Sequence, residues 1–551
     1  MISAIQKLAT TLTRDPSPIC VNLMLSLTDA IIARHHPSGL LVTRPGEFHA
    51  RLNALPAEHV NDRMAVSIAR AIQCTNAFVP NRGSLVMRLN PEVASFRDPV
   101  AAMYYVSGES FTGYHIRFRT IARGGLRVVC GKDIFTALTE CYELARTQHA
   151  KNKDIPEGGA KGVLFVTDPT QIDDAVHAMV EGLLDCAIPH PAVVRGGDQL
   201  FLGPDERITP AHIEFMVTRA AERGYASPRT FMTSKSHTGF NHKEFGVTSE
   251  GVEIFMYESM RKLMFPRLKP FTVKITGGPD GDVAGNFMRI LYREYGELAR
   301  VVGIADGTAV CEDPAGIAWS KLLPLLDENL PLSCLPGSSL DMAARDTMHA
   351  RVKADVFVPA GGRPWTITEQ NCAAVGRTTR LIVEGANMFL TSGARDMLTR
   401  DHGVMIMKDS SANKCGVICS SMEVLTSMLL TDEEIVQNKA TIVAEVLEYL
   451  KRLARIEARA LLAGFPANRY VHKMSEEMTD VAVRKKDSIY HSFLADADVW
   501  GKLDEVVRPT LPPTIVRLGW ARAREQIPIE YQKMMIASTI TREVIYKVHS
   551  W

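Results

Sequence analysis

Two glycine-rich stretches gather the cations best suited to chemistry. ARGGLR holds Arg123 and Arg127, and KNKDIPEGGAKG holds Lys151, Lys153 and Lys161. Glycines beside them let a backbone approach a ligand closely. Several cations on one such pair of stretches suit a small polyanion, for example a dicarboxylate. A solvated basic surface would also use these residue types, so on residues alone both readings stand.

A third stretch, GGPDGDVAGN from Gly277 to Asn286, follows an apolar strand pattern and opens a helical one. Gly277, Gly278 and Gly281 would let the backbone approach a pyrophosphate, whose charge a helix N-terminus favours. Asp306 closes the next strand pattern. An acid there accepts hydrogen bonds from an adenosine ribose and disfavours a 2′-phosphate, so NAD is expected over NADP. The spacing departs from GxGxxG: Pro279 intervenes, and Asp280 and Asp282 put negative charge near the phosphates. An ordinary glycine-rich turn is the competing explanation. Cys415 and Cys419 in KCGVIC read as small packing residues, because a zinc site needs more ligands nearby.

The elements that must position these residues follow from periodicity. Residues 59–78, HVNDRMAVSIARAIQCTNAF, read as an amphipathic helix, and SLVMRLNP as a strand. YHIRFRTI, 114–121, alternates as a strand and runs into ARGGLR, read as a loop. Residues 133–150 are helical, KNKDIPEGGAKG is a loop, and VLFV is a short buried strand. Near residue 245 the style changes. FTVKITGG, DVAGNFMRILYREYGEL and RVVGIADG form a βαβ unit, and ADVFVPA, RLIVEGA and GVMIMKD add three strands. Strands separated by helices argue for an α/β protein with a parallel, doubly wound sheet. From 432 onward the chain is helical and charged.

The chain has 551 residues, 46% apolar, with a formal net charge of +1. Basic residues are scattered among acidic ones, which argues against a nucleic-acid partner. No apolar run reaches the ~20 residues that span a bilayer, so no membrane partner is expected. Ten cysteines without a disulfide framework suit a reducing compartment, cytoplasm or mitochondrial matrix. An ordinary helix over Ala4–Thr13 explains the acid-poor N-terminal region as well as a presequence would.

The ordered set ARGGLR, KN, IPEGGAKG, GPDE, TSK, the βαβ unit, EGAN and SSAN resembles the glutamate dehydrogenase family. It is most similar to the large-subunit NAD-specific branch, where RGG replaces KGG, and the match runs from about residue 85 to 425. Members of that branch carry a long N-terminal extension ahead of the matched part. The resemblance implies an N-terminal α/β substrate domain over 1–245, a Rossmann-like doubly wound NAD-binding domain over 246–425, and C-terminal helices over 426–551 that return to the substrate domain. It also implies a homo-oligomer acting on L-glutamate, 2-oxoglutarate and ammonia. Residue by residue, Lys161 is similar to the catalytic lysine and Asp205 to the proton-shuttling aspartate, whose competing role is an N-cap for the following helix. Arg123 stands where the side-chain carboxylate is gripped, with Ser420 assisting. Lys151, in KN, matches the lysine for the α-carboxylate, although His149 occupies the ungapped position. Thr248 and Asn387 look like the residues at the nicotinamide end. Lys235, in TSK, occupies the family's TGK position, with Ser234 in place of glycine.

These residue types suit the implied chemistry. Hydride leaves Cα, water attacks the resulting imine, and ammonia departs. A lysine can act as base toward water and then stabilise an oxyanion, while a carboxylate carries the proton to the leaving amine. Cations at both ends of a dicarboxylate orient Cα. Two other classes stay open: a dehydrogenase for another amino acid, against which Arg123 speaks because an apolar pocket would leave it unpaired, and a silent relative serving as a regulatory or assembly subunit.

Overall fold

A computed structural model describes residues 7–8, 78–81, 84–89, 91, 96–131, 135–188, 199–240, 245–263, 269–463, 470–494 and 498–548. They form two compact units. Unit 1 takes the described residues of Met1–His149, Glu157–Gly239 and Glu423–Met428; unit 2 takes those of Ala150–Pro156, Phe240–Met422 and Leu429–Trp551.

Unit 1 is built on seven strands: β1 (Phe78–Asn81), β2 (Ser84–Leu89), β3 (Ala102–Ser107), β4 (Phe111–Arg117), β5 (Ile121–Cys130), β6 (Gly158–Val166) and β7 (Gln199–Pro204). Their spatial order is β1-β2-β3-β4-β6-β5-β7. The run from β1 to β4 and on to β6 is antiparallel, and β5 lies parallel between β6 and β7. Three helices belong here: α1 (Phe135–Lys151), whose last two residues pass into unit 2, α2 (Ile172–Ala187) and α3 (Pro210–Glu222). Val176, Met179, Val180 and Leu183, one face of α2, join Val86, Tyr104, Val106 and Leu164 in a dry core. Each such side chain stabilises the fold by roughly 1.5–3 kcal/mol.

Local expectations meet three corrections here. ARGGLR is not a loop but the middle of β5, and GGAKG is not a loop but the start of β6. Glycine weakens a strand intrinsically, yet here it is required: a Cβ on Gly124 would stand 1.6 Å from Ala160 O of the neighbouring strand. The alternating run 114–121 is two strands rather than one. The chain turns between Arg117 and Ile121, where the buried Arg117 donates to Thr120 O and, at 2.6 Å, to Gln199 O. The helix expected over 59–78 lies outside the described residues except at Phe78, which starts β1; the helix over Ala4–Thr13 lies outside them except at residues 7–8.

Unit 2 contains α4 (Val247–Lys262) and the expected βαβ unit: β8 (Phe271–Thr276), α5 (Asp282–Tyr295) and β9 (Ala299–Ala305). The short β10 (Val310–Glu312) is followed by α6 (Trp319–Glu328), α7 (Met342–Arg351), β11 (Ala354–Pro359), α8 (Cys372–Thr378), β12 (Thr379–Val383), α9 (Ser392–His402) and β13 (Met405–Met407). The sheet order is β10-β9-β8-β11-β12-β13, parallel throughout except for the antiparallel edge strand β10. Helices α10 (Asp409–Ala412), α11 (Cys415–Leu429), α12 (Asp432–Ala463), α13 (Val471–Ser488) and α14 (Ile529–Val548) follow. Among the described residues no helix is long and apolar enough to cross a membrane. The C-terminal helices are expected from the sequence to return to the first domain; in these units only Glu423–Met428 do so. The rest is held in unit 2 by buried bonds such as those of Glu457 to Lys153 and Lys414.

Candidate functional site

In unit 1 the strand register brings the predicted catalytic pair together. Lys161 stands on β6 and Asp205 immediately past β7, and Lys161 Nζ donates to Asp205 Oδ2. Arg127 on β5 backs the same carboxylate, Nε at 3.2 Å and Nη2 at 3.4 Å, and its Nη1 donates to Glu140 of α1 at 3.0 Å. The Glu206 amide adds a further bond at 2.9 Å. Burial alone would raise the pKa of Asp205; Lys161 and Arg127 instead hold it well below the usual carboxylate range. Asp205 is therefore an acceptor poised beside an amine. It is not an N-cap: Thr209 caps α3, accepting from the His212 amide. Gly125 makes the pair possible, since a Cβ there would stand 3.0 Å from Lys161 Nζ. Arg123, four residues before Arg127 and so on the same face of β5, is 4% exposed. Sequence reading lists Arg127 only as one more cation; its i, i+4 relation to Arg123 along a strand was the available signal.

Other residues of the quoted motifs in unit 1 have structural work. His149 Nδ1 accepts the Gly159 amide at 3.0 Å, and its ring stacks on Phe118. Lys235 Nζ donates to Glu423 at 2.9 Å and to Met232 O at 3.2 Å. Ser234, where the family has glycine, sits at φ +64°, the left-handed conformation that glycine adopts freely.

Unit 2 holds the other predicted residues. Gly277 adopts φ +107°, and a Cβ on it would meet Gly361 N at 3.1 Å and the Ala284 side chain at 2.8 Å. Gly361 in turn packs on Gly277, and Gly385 on Ala360. The carboxyl ends of β8, β11 and β12 therefore meet as bare backbone beside the start of α5, the arrangement a pyrophosphate needs. Gly281 is the N-cap residue of α5, and Asp282 in its first turn complements the helix dipole. Asp306 leans over Gly278 and caps a turn: Oδ1 accepts from Thr308 N and Ala309 N, and Oδ2 from Leu332 N. Thr248 packs its hydroxyl against Gly416. Ser420 donates to Gly416 O of its own helix at 3.1 Å. Cys415 and Cys419 are buried in α11, and burial pushes the Cys415 thiol up to about 12.

Lys151, predicted for a substrate carboxylate, donates to the Oδ1 of Asn387, predicted for the nicotinamide end. Asn413 Nδ2 donates to the same oxygen at 2.9 Å. Asp409 accepts from Met388 N at 2.8 Å and holds that residue at φ +55°. The sequence alone assigns no role to Asp409 or Asn413, although Asn413 is the last residue of the SSAN motif and Asp409 immediately precedes it.

A parallel sheet with a glycine turn opening its first βα unit places the chain in the dinucleotide-fold class. Residues 239–476 match the family model described as Glutamate/Leucine/Phenylalanine/Valine dehydrogenase. Residues 51–188 match the Bacterial NAD-glutamate dehydrogenase catalytic domain. Two separate stretches of the chain thus resemble models of the glutamate dehydrogenase family. The chain is 31% identical, over 86% of its length, to a probable NAD-specific glutamate dehydrogenase of Schizosaccharomyces pombe, of which it covers 48%. It is 29% identical, over 91% of its length, to the NAD-specific glutamate dehydrogenase of Saccharomyces cerevisiae, of which it covers 52%. The chain thus spans about half the length of these curated relatives. The crystal structure of Plasmodium falciparum glutamate dehydrogenase shares the fold, with TM-score 0.54 and 16% identity over 86% of this chain and 97% of that one.

Proposed function

We propose that the chain is an NAD-dependent glutamate dehydrogenase, catalysing the reversible oxidative deamination of L-glutamate to 2-oxoglutarate and ammonia. The observation that carries this reading is the Lys161–Asp205 pair, backed by Arg127 on the strand face that also bears Arg123. In unit 1, the substrate-binding domain of this reading, Arg123 grips the side-chain carboxylate with a two-point contact. Lys161 Nζ first passes a proton to Asp205 and, now neutral, takes one from the attacking water, while Asp205 hands the proton that it received to the departing amine. A dedicated cation for the second carboxylate favours a dicarboxylic substrate over a branched or aromatic one.

In unit 2, the parallel sheet is the NAD-binding domain. Gly277, Gly278, Gly281 and the start of α5 would hold the pyrophosphate, Asp306 the adenosine ribose, and Thr248 and Asn387 the nicotinamide end. NAD supplies the hydride acceptor. Lys151 takes the substrate α-carboxylate and Ser420 assists at the side-chain carboxylate. The reading also implies a homo-oligomer in the cytoplasm or mitochondrial matrix, in keeping with the free thiols of the described cysteines.

The test is NADH formation, followed by absorbance, with L-glutamate and NAD, alongside NADP and leucine controls. A rate that needs glutamate and NAD is expected. A folded protein with no rate on any amino acid would overturn the proposal in favour of a silent relative.

A further inference from the structure

The segment Ala150–Pro156 lies within the sequence of unit 1 but is part of unit 2. Helix α13 grips its backbone. Thr479 Oγ1 donates to Ala150 O at 3.4 Å, and Lys486 Nζ donates to Asn152 O at 2.9 Å and Ile155 O at 2.7 Å. Its side chains enter a buried network. Lys153 Nζ donates to Ser410 O at 2.9 Å and pairs with Glu457 Oε1 at 3.0 Å. Asp154 accepts from Lys414, and its Oδ1 lies 2.6 Å from the Tyr546 hydroxyl. Lys414 also donates to Glu457 and, at 3.1 Å, to the Tyr546 oxygen.

Two ammonium groups thus face two carboxylates, with no exposure at Lys414 or Glu457. Burial disfavours charge at each. Yet Lys153 and Lys414 hold the Glu457 carboxyl below its ordinary value, and Asp154 and Glu457 raise Lys414 above its own. Stability alone does not call for such a cluster, because apolar residues of similar volume serve as well or better. What a fully satisfied buried network adds is one defined geometry. The backbone so defined carries Lys151, two residues before Lys153, with its ammonium on Asn387.

We propose that Lys153, Asp154, Lys414, Glu457 and Tyr546 are positioning residues for Lys151, so that the last turn of α14 takes part in substrate binding through Tyr546. This rests on the role proposed above for Lys151. A displacement of about 1 Å at such a group costs on the order of a hundredfold in rate, and the backbone of Lys151 is set by residues more than 250 positions away in sequence.

Tyr546→Phe removes only the hydroxyl. It is expected to raise the KM for glutamate about tenfold with kcat changed less than about threefold, the size of one charge-assisted hydrogen bond. The Kd for ADP-ribose should stay within about twofold, and amide exchange should quicken at 150–156 but not at 271–276. Glu457→Gln should act in the same direction and more strongly. Unchanged glutamate KM and unchanged exchange in both variants would overturn the proposal. So would a parallel loss of glutamate and ADP-ribose affinity, the mark of general destabilisation. An unsubstituted chain that binds ADP-ribose but does not oxidise glutamate would overturn the proposed function instead, and the exchange comparison would then decide whether Tyr546 sets the loop.

Discussion

In unit 1 the candidate site residues stand on or beside the strands: Arg123 and Arg127 on β5, Lys161 on β6, and Asp205 just past β7. In unit 2 the corresponding edge of the parallel sheet is stripped of side chains, and Gly277, Gly361 and Gly385 bring three strand ends together as backbone. Both regions are rich in glycine, but at different places on their strands. Gly124 and Gly159 let backbones pack: a Cβ would stand 1.6 Å from Ala160 O in one case and 2.1 Å from His149 N in the other. Gly277 also packs, against Gly361 and Ala284, but at a strand end beside the start of α5. Charged side chains suit a small substrate that must be gripped and protonated, whereas a bare backbone at a helix start suits a diffuse phosphate charge. Buried lysines differ as well. Lys161 has a carboxylate partner, while among the described residues Lys274 on β8 bonds neutral acceptors, His349 O, Val352 O and Thr378 Oγ1.

The sharpest way to break this contrast is Lys161→Ala. Turnover should fall by roughly a thousandfold or more, with circular dichroism unchanged; activity within tenfold of the parent would remove Lys161 from catalysis. Gly277→Ala comes next. The strained φ and the contact with Gly361 should weaken ADP-ribose binding by about tenfold or more, and the same strain should lower the melting temperature by a few degrees. Equal affinity in calorimetry would mean that the bare edge is packing, as in unit 1.

Lys274 tests the charge contrast through pH. Burial lowers its pKa from 10.5 to about 7. The unfolded chain then binds more protons than the folded one between those values, so stability falls as pH drops from 10.5 towards 7. Relative to Lys274→Met, the parent should gain a few kcal/mol across that window. Parallel stability-against-pH curves for the two proteins would refute the displaced titration. Asp306→Ser should narrow the preference for NAD over NADP by about tenfold, read from the ratio of kcat/KM values; an unchanged ratio would leave Asp306 only its turn-capping role. The smallest effect is expected in unit 1. Ser234→Gly relieves the left-handed backbone and removes a buried hydroxyl with no hydrogen-bond partner among the described residues. It should stabilise by about 1 kcal/mol in denaturant melts, and a loss of stability would show that the serine side chain packs usefully.

Much of this was legible locally. Helical spacing marks α1 and α5, and short apolar runs ending at glycine mark β8 and β9, because each presents an apolar face to the core. The site residues were legible by type: a lysine among glycines, an acid after a strand. ARGGLR and GGAKG misled because glycine and arginine look like loop in isolation. Their strand conformation is imposed by neighbours on both sides, which periodicity does not record.

The sequence by itself determined the α/β class, the βαβ unit, the resemblance to the glutamate dehydrogenase family and the candidate cations and acid of the site, since these follow from residue types and short spacings. Only the tertiary structure decided that Arg127 secures Asp205, that Thr209 rather than Asp205 caps α3, and that Lys151 belongs with the second unit while His149 stays with the first. The physical reason is distance along the chain. The bonds that hold the Lys151 segment come from Lys414 and Tyr546, 260 and 392 residues beyond Asp154, and a buried charge takes its partner from whatever the fold brings beside it.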